Sequence, residues 1–164
     1  IRRPLLTLEA LKAATHPWLV ALVRPQDPGN IGTVLRTLDA VGGSGLILLD
    51  GGADPGHPNA VRASLGALFW LPIVSATFAE FVLWAVAQGY HITGTSEGGS
   101  SDYRAAAFPR PAILLMGSER EGLTPDQEAA CAQVVRLPMR GRVTSLNLAV
   151  ATGVLLYKMW DRTE

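Results

Sequence analysis

Gly94-Thr95-Ser96-Glu97-Gly98 fits the G-x-S-x-G pattern, in which a serine on a tight turn after a strand is activated by a histidine later in the chain. The remaining parts of that machinery are missing. Such a turn must run straight into a helix, yet Gly99-Ser100-Ser101 follows, and His16, His57 and His91 all precede Ser96. The stretch reads instead as a flexible loop at the C-terminal end of a strand, where α/β sheets bind ligands. The dinucleotide pattern G-x-G-x-x-G is absent. Lys12 and Lys158 are the only lysines, so no phosphate loop of the G-x-x-x-x-G-K type exists in the interior. Asp50, Asp54 and His57 lie in a Gly/Pro-rich turn and read as a solvated loop rather than a metal site. Cys131 is the sole cysteine, which excludes an internal disulfide and a cysteine metal cluster.

Three segments remain that local structure does not explain. In the run from Asp27 to Gly42, Asn30 opens a helical pattern and Arg36 lies away from its Ile31/Leu35/Leu38 stripe. In the run from Leu114 to Leu123, an apolar strand ends in Gly117-Ser118-Glu119 before a charged, glycine-punctuated loop. In the run from Arg136 to Gly153, a strand gives way to a basic loop and then to Ser145-Leu146-Asn147 at a helix start. Each has a plain reading of its own: a solvated arginine, an ordinary strand-to-helix turn, and an N-cap at Ser145.

These residues need a scaffold, and the patterning supplies one. Short apolar runs at 18–24, 45–49, 71–74, 90–94, 112–116 and 133–137 predict strands, most of them apolar on both faces as buried parallel strands are. Helices alternate with them. The spacing predicts one over 30–41, ending at Gly42, and a second over 78–88 behind a Thr77/Glu80 capping box and before Gly89. Thr124, Pro125 and Gln127 start a third that reaches Cys131. A last helix from Ser145 to about Asp161 is apolar nearly all round, so it is buried on more than one side, either inside the domain or between subunits. The alternation specifies an α/β fold with a mainly parallel sheet flanked by helices.

The chain has 164 residues, enough for one domain with its own core. Apolar residues make up 48% and charged residues 17%, which excludes a disordered tail or a coiled coil. No apolar run approaches the ~18 residues needed to cross a bilayer. Fourteen basic residues balance fourteen acidic ones, so any nucleic-acid contact must be local. The local basic cluster is Arg120, Arg136, Arg140 and Arg142 around the third segment. No signal-peptide layout is present, and the lone cysteine suits a reducing cytoplasm.

In this order and spacing, the three segments resemble the SpoU-type RNA ribose 2′-O-methyltransferases of the SPOUT superfamily. The resemblance runs from Trp18 to Trp160 and includes Arg62-Ala63-Ser64-Leu65-Gly66-Ala67. It implies S-adenosylmethionine as methyl donor, transfer or ribosomal RNA as substrate, an obligate homodimer without metal, and a C-terminal trefoil knot. Carried over by residue, it implies a catalytic set of Asn30, Arg36, Glu119, Ser145 and Asn147. For the cofactor it implies Thr95, Gly117, Leu137, Pro138, Met139 and Leu146, where backbone groups and an apolar slot would take adenine and glycine lets the chain approach closely. Arg120, Arg140 and Arg142 are the expected RNA contacts. Residues 1–15 are expected to be a linker or the end of a preceding RNA-binding domain, with the catalytic domain over 16–164.

A guanidinium of pKa above ~12 is a poor base at neutral pH, so Arg36 is expected to stabilise a developing alkoxide rather than remove its proton. Glu119 is expected to orient Arg36 or Asn30, with Ser145 and Asn147 holding the ribose. Two other readings compete: a catalytically idle RNA- or cofactor-binding module of the same fold, and a small-molecule enzyme of nucleotide-binding type. The intact polar set argues against the first and the missing phosphate loop against the second.

Overall fold

Apolar residues on both faces of consecutive strands leave only one stable arrangement, a parallel sheet covered by helices on each side. The computed structural model of the chain, which describes residues 5–161, has this arrangement. Strands β1 (Trp18–Val23), β2 (Gly45–Leu49), β3 (Ile73–Ala76), β4 (His91–Thr95), β5 (Ser101–Asp102), β6 (Ala112–Met116) and β7 (Gln133–Arg136) form one sheet in the order β3-β2-β1-β6-β4-β7-β5. Every pairing is parallel. Helices α1 (Pro28–Ala40), α2 (Pro58–Ala63), α3 (Phe78–Ala87), α4 (Pro125–Ala129) and α5 (Leu148–Trp160) connect or follow them.

Because side chains alternate along a strand, β1 divides its residues between two cores. Trp18, Val20 and Leu22 join Leu35 and Leu38 of α1 and Leu155 and Leu156 of α5 on one face. Leu19, Ala21 and Val23 join Phe81 and Ala85 of α3, with Leu8 and Leu11 of the leading segment, on the other. At ~25 cal/mol per Å² of apolar surface, these two layers are the main stabilising contribution.

Both expected capping boxes form, at Thr77/Glu80 and at Thr124/Gln127. Two expected helix starts move. Asp27, not Asn30, caps α1 by accepting from the Gly29 N–H, with Pro28 in the first turn. Asn147, not Ser145, caps α5, its Oδ1 accepting from the Ala149 and Val150 N–H groups at 2.9 and 3.2 Å. The third strand lies two residues later than expected, after Pro72, which has no N–H to give to a ladder. Helix α2 and the two-residue β5 are additions. His57 caps α2 through its Nδ1, and Asp54 accepts from the Gly56 N–H, so both side chains serve the local chain. No group of three or more His, Cys, Asp or Glu among the described residues could hold a metal ion. No helix among them is long and apolar enough to cross a membrane.

Candidate active site

The C-terminal ends of β4, β6 and β7 feed three loops that border one cleft of about 730 Å³, a size that suits a nucleotide-like ligand. Thr95 enters from β4, Gly117 and Glu119 from β6, and Leu137 and Met139 from β7. Ser145, Leu146 and Asn147 complete the rim ahead of α5. Ser96 and Glu97 of the loop after β4 also line it, and so do Met116, Thr144 and Ala151, which sequence reasoning did not name. Their only signal was adjacency to named residues. Of the expected RNA contacts, Arg120 lines the cleft, while the exposed Arg140 and Arg142 lie beyond its lining, as does Pro138.

One hydrogen-bonded chain ties three distant segments together beside this cleft. The Asn147 Nδ2 group donates to Asn30 Oδ1 at 3.0 Å, and Asn30 Nδ2 donates to Glu119 Oε1 at 3.0 Å. The other Glu119 oxygen accepts from the Gln26 backbone N–H at 2.8 Å. Each amide is fixed at both ends: Asn147 must point Oδ1 at the start of α5, which turns its NH2 toward Asn30, whose own NH2 then meets the carboxylate. Charge-assisted bonds of this kind are about twice as strong as neutral ones. Asn30 is buried, so its amide depends on both partners.

The set of expected catalytic residues therefore divides. Asn30, Glu119 and Asn147 are bonded to one another, and Glu119 orients Asn30, not Arg36. Ser145 is exposed at the cleft rim and hydrogen-bonds to nothing among the described residues. Arg36 is exposed on α1 and is not part of the cleft lining. Cys131, packed under Gly94, has its thiol pushed up to about 11, chiefly by burial, and is a packing residue rather than a nucleophile.

Gly117 has a use in its own loop besides its place in the cleft lining. A Cβ there would overlap the backbone of Gly122 and Leu123, because the 117–123 loop folds back on itself through the Ser118–Gly122 bridge. Gly122 supports the same turn at φ 68°. The absence of a side chain thus permits close approach to its own loop, while Gly117 also lines the cleft. Gly117→Ala is expected to displace Ser118 and Glu119, lowering the melting temperature and weakening ligand binding in the cleft together. Thermal melting beside a calorimetric titration checks this; parent-like behaviour in both would remove the close-packing argument.

The profile of the SpoU rRNA Methylase family matches residues 17–157, which hold every residue of this hydrogen-bonded chain. The chain belongs to the SpoU family. It is 38% identical over 141 residues to a 23S rRNA (uridine(2479)-2′-O)-methyltransferase of Streptomyces viridochromogenes, covering 82% of this chain and 49% of that protein. It is 32% identical over 152 residues to a 23S rRNA (guanosine(2553)-2′-O)-methyltransferase of Bacillus subtilis, covering 90% and 60%. Among solved structures, an AdoMet-bound rRNA methyltransferase of Sinorhizobium meliloti superposes with a TM-score of 0.94 at 37% identity, over 99% of this chain and 62% of that one. The chain thus spans between half and three fifths of the curated relatives it matches here. The parallel sheet with flanking helices is the fold of this SpoU family, as the sequence patterning implied.

Proposed function

We propose that the protein transfers a methyl group from S-adenosylmethionine to a ribose 2′-hydroxyl of transfer or ribosomal RNA. The observation that carries this reading is the chain Gln26–Glu119–Asn30–Asn147 at the edge of the cleft, since a binding module has no need of a buried amide, Asn30, held between a carboxylate and a second amide from distant segments. The cleft fits the cofactor: Leu137 and Leu146 offer apolar surface, the 117–123 loop brings backbone amides to the rim, and Thr95 lies with its hydroxyl 3.7 Å from Met116 Sδ. When bound, S-adenosylmethionine supplies an electrophilic methyl group on a sulfonium. The chain's own residues do the rest. Asn30, fixed by Glu119 and Asn147, sets the floor against which the ribose is held, and Ser145, exposed and unbonded at the rim, supplies a hydroxyl that can meet substrate. Arg36 provides a positive charge for the developing alkoxide, while water or an RNA phosphate takes the proton. Arg120, Arg140 and Arg142 meet RNA phosphates, which makes binding modest and salt-sensitive.

The same proposal includes a homodimer formed through α5. Its inner side, Leu148, Ala149, Leu155, Leu156 and Met159, is buried in the core, while Val150, Val154, Tyr157 and Trp160 form an exposed apolar row at helical spacing. Ala149 and Leu155 belong to the inner side, and Gly153 lies against Thr37 of α1. Tyr157→Asp is therefore expected to give a folded monomer, and Leu155→Asp an unfolded chain. Sedimentation velocity checks both; a monomeric parent at micromolar concentration would contradict the dimer. A knotted C terminus also belongs to this reading. Its support is that β7 lies three places from β1 while α5 returns to pack on α1 behind β1. So does a cytoplasmic location.

Calorimetric titration with S-adenosylmethionine in the presence of a chelator tests the cofactor assignment. One molecule bound per chain is the expected result. No binding at millimolar ligand would refute it.

A further inference from the structure

The basic cluster read from the sequence includes Arg136, which is not among the expected RNA contacts, and its guanidinium is already engaged. Segment 96–103 crosses β7 from its β4 side to its outer edge, where β5 lies parallel to it. The Ser96 N–H donates to Val135 O at 3.0 Å, β5 pairs with β7, and the Tyr103 N–H donates to Arg136 O at 3.1 Å. Between these anchors the loop tip leaves the sheet. There Gly99 is buried, and a Cβ on it would stand 2.6 Å from the Val135 carbonyl carbon. The Gly99 carbonyl accepts from Arg136 Nη1 at 2.9 Å, a bond from a charged donor to a buried acceptor. The same guanidinium lies near the Asp102 carboxylate. Bonds from Arg104 hold Asp102 well below the usual carboxylate range, and the charge of Arg136 adds to this.

Ser96 and Glu97, on the two residues before this tip, line the cleft. Their position depends on where Gly99 is held. We propose that Arg136 is a positioning residue, its guanidinium latching the 96–100 loop to the end of β7 and so fixing one wall of the cofactor cleft, rather than a contact to RNA phosphate. The inference rests on the reading of that cleft as the S-adenosylmethionine site.

The test compares the parent protein with Arg136→Ala, Arg136→Lys and Gly99→Ala, by three measurements. Amide hydrogen exchange without any ligand is expected to accelerate at 97–100 in all three variants, which probes the latch independently of function. Calorimetry with S-adenosylmethionine is expected to show about tenfold weaker binding in Arg136→Ala and Gly99→Ala, with Arg136→Lys between them and the parent, because the ammonium keeps the charge but loses the planar fork. The dependence of RNA affinity on salt is expected to keep its parent slope in Arg136→Ala. Unchanged exchange and cofactor affinity, with a slope reduced by about one, would make Arg136 a phosphate contact and overturn the proposal. A parent that binds no cofactor but shows the exchange effect would leave the latch standing and refute the assignment of the cleft.

Discussion

Glu119→Gln is expected to lower both turnover and stability, although it changes one atom and sits on an exposed loop. Two donors converge on the Glu119 carboxylate, the Gln26 N–H on one oxygen and the Asn30 amide on the other. A glutamine side chain has a single acceptor oxygen. Its NH2 must then face one of the two donors, and if that donor is Asn30, a buried amide loses its partner. An unsatisfied buried group costs about 1–3 kcal/mol, or several degrees of melting temperature in a domain of this size. The rate should fall further, by about a hundredfold, because a small displacement of the groups that hold substrate is enough for such a loss. Calorimetric melting and single-turnover methyl transfer measure the two effects. Parent-like values in both would show that the carboxylate does not hold Asn30.

Arg36→Ala is expected to do the reverse: no change in fold or cofactor affinity, and a loss of about 10²–10³ in methyl transfer, the range for removing one group that stabilises transition-state charge. Arg36 is exposed on α1, and among the described residues its side chain hydrogen-bonds to nothing, so its removal leaves no buried partner behind. Arg36→Lys should recover little, since a compact ammonium lacks the guanidinium fork. Cofactor affinity by calorimetry beside turnover separates this from a structural effect. A fully active Arg36→Ala would take Arg36 out of the mechanism.

The contrast between these two residues explains what could be read in the sequence. Strands such as β1 and β6 are legible because six or five apolar residues in a row, too short for a helix, fit only a strand buried on both faces. The two capping boxes are legible because both partners lie within four residues. The helix starts expected at Asn30 and Ser145 shift for the same reason: a cap is the local use of a small polar residue, and the sequence offers Asp27 and Asn147 nearby without saying which is chosen. Asn147 in fact serves twice, as the cap of α5 and as donor to Asn30, and that second partner is 117 positions away. The Gly117 overlap with Gly122, the latch from Arg136 to Gly99 and the backbone bond from Gln26 to Glu119 are likewise products of chain folding, with no periodicity to announce them. Helix α2 was missed because its six residues sit in a run of glycine and proline that reads as loop. The resemblance points to three of the four residues joined in this network, Asn30, Glu119 and Asn147, and not to Gln26.

Ribose methylation itself has a direct chemical signature. Alkali cleaves RNA through attack of each 2′-oxygen on its neighbouring phosphate, so a methyl group on that oxygen protects one phosphodiester and leaves a dinucleotide intact. The decisive measurement incubates the full protein with methyl-labelled S-adenosylmethionine and unmodified transfer and ribosomal RNA, hydrolyses the RNA in alkali, and locates the label by mass spectrometry. The expected result is label confined to an alkali-resistant dinucleotide, lost in Arg36→Ala while that variant still binds the cofactor. Label recovered in mononucleotides, and therefore on a base, or full labelling by Arg36→Ala, would contradict a site built to methylate a ribose hydroxyl.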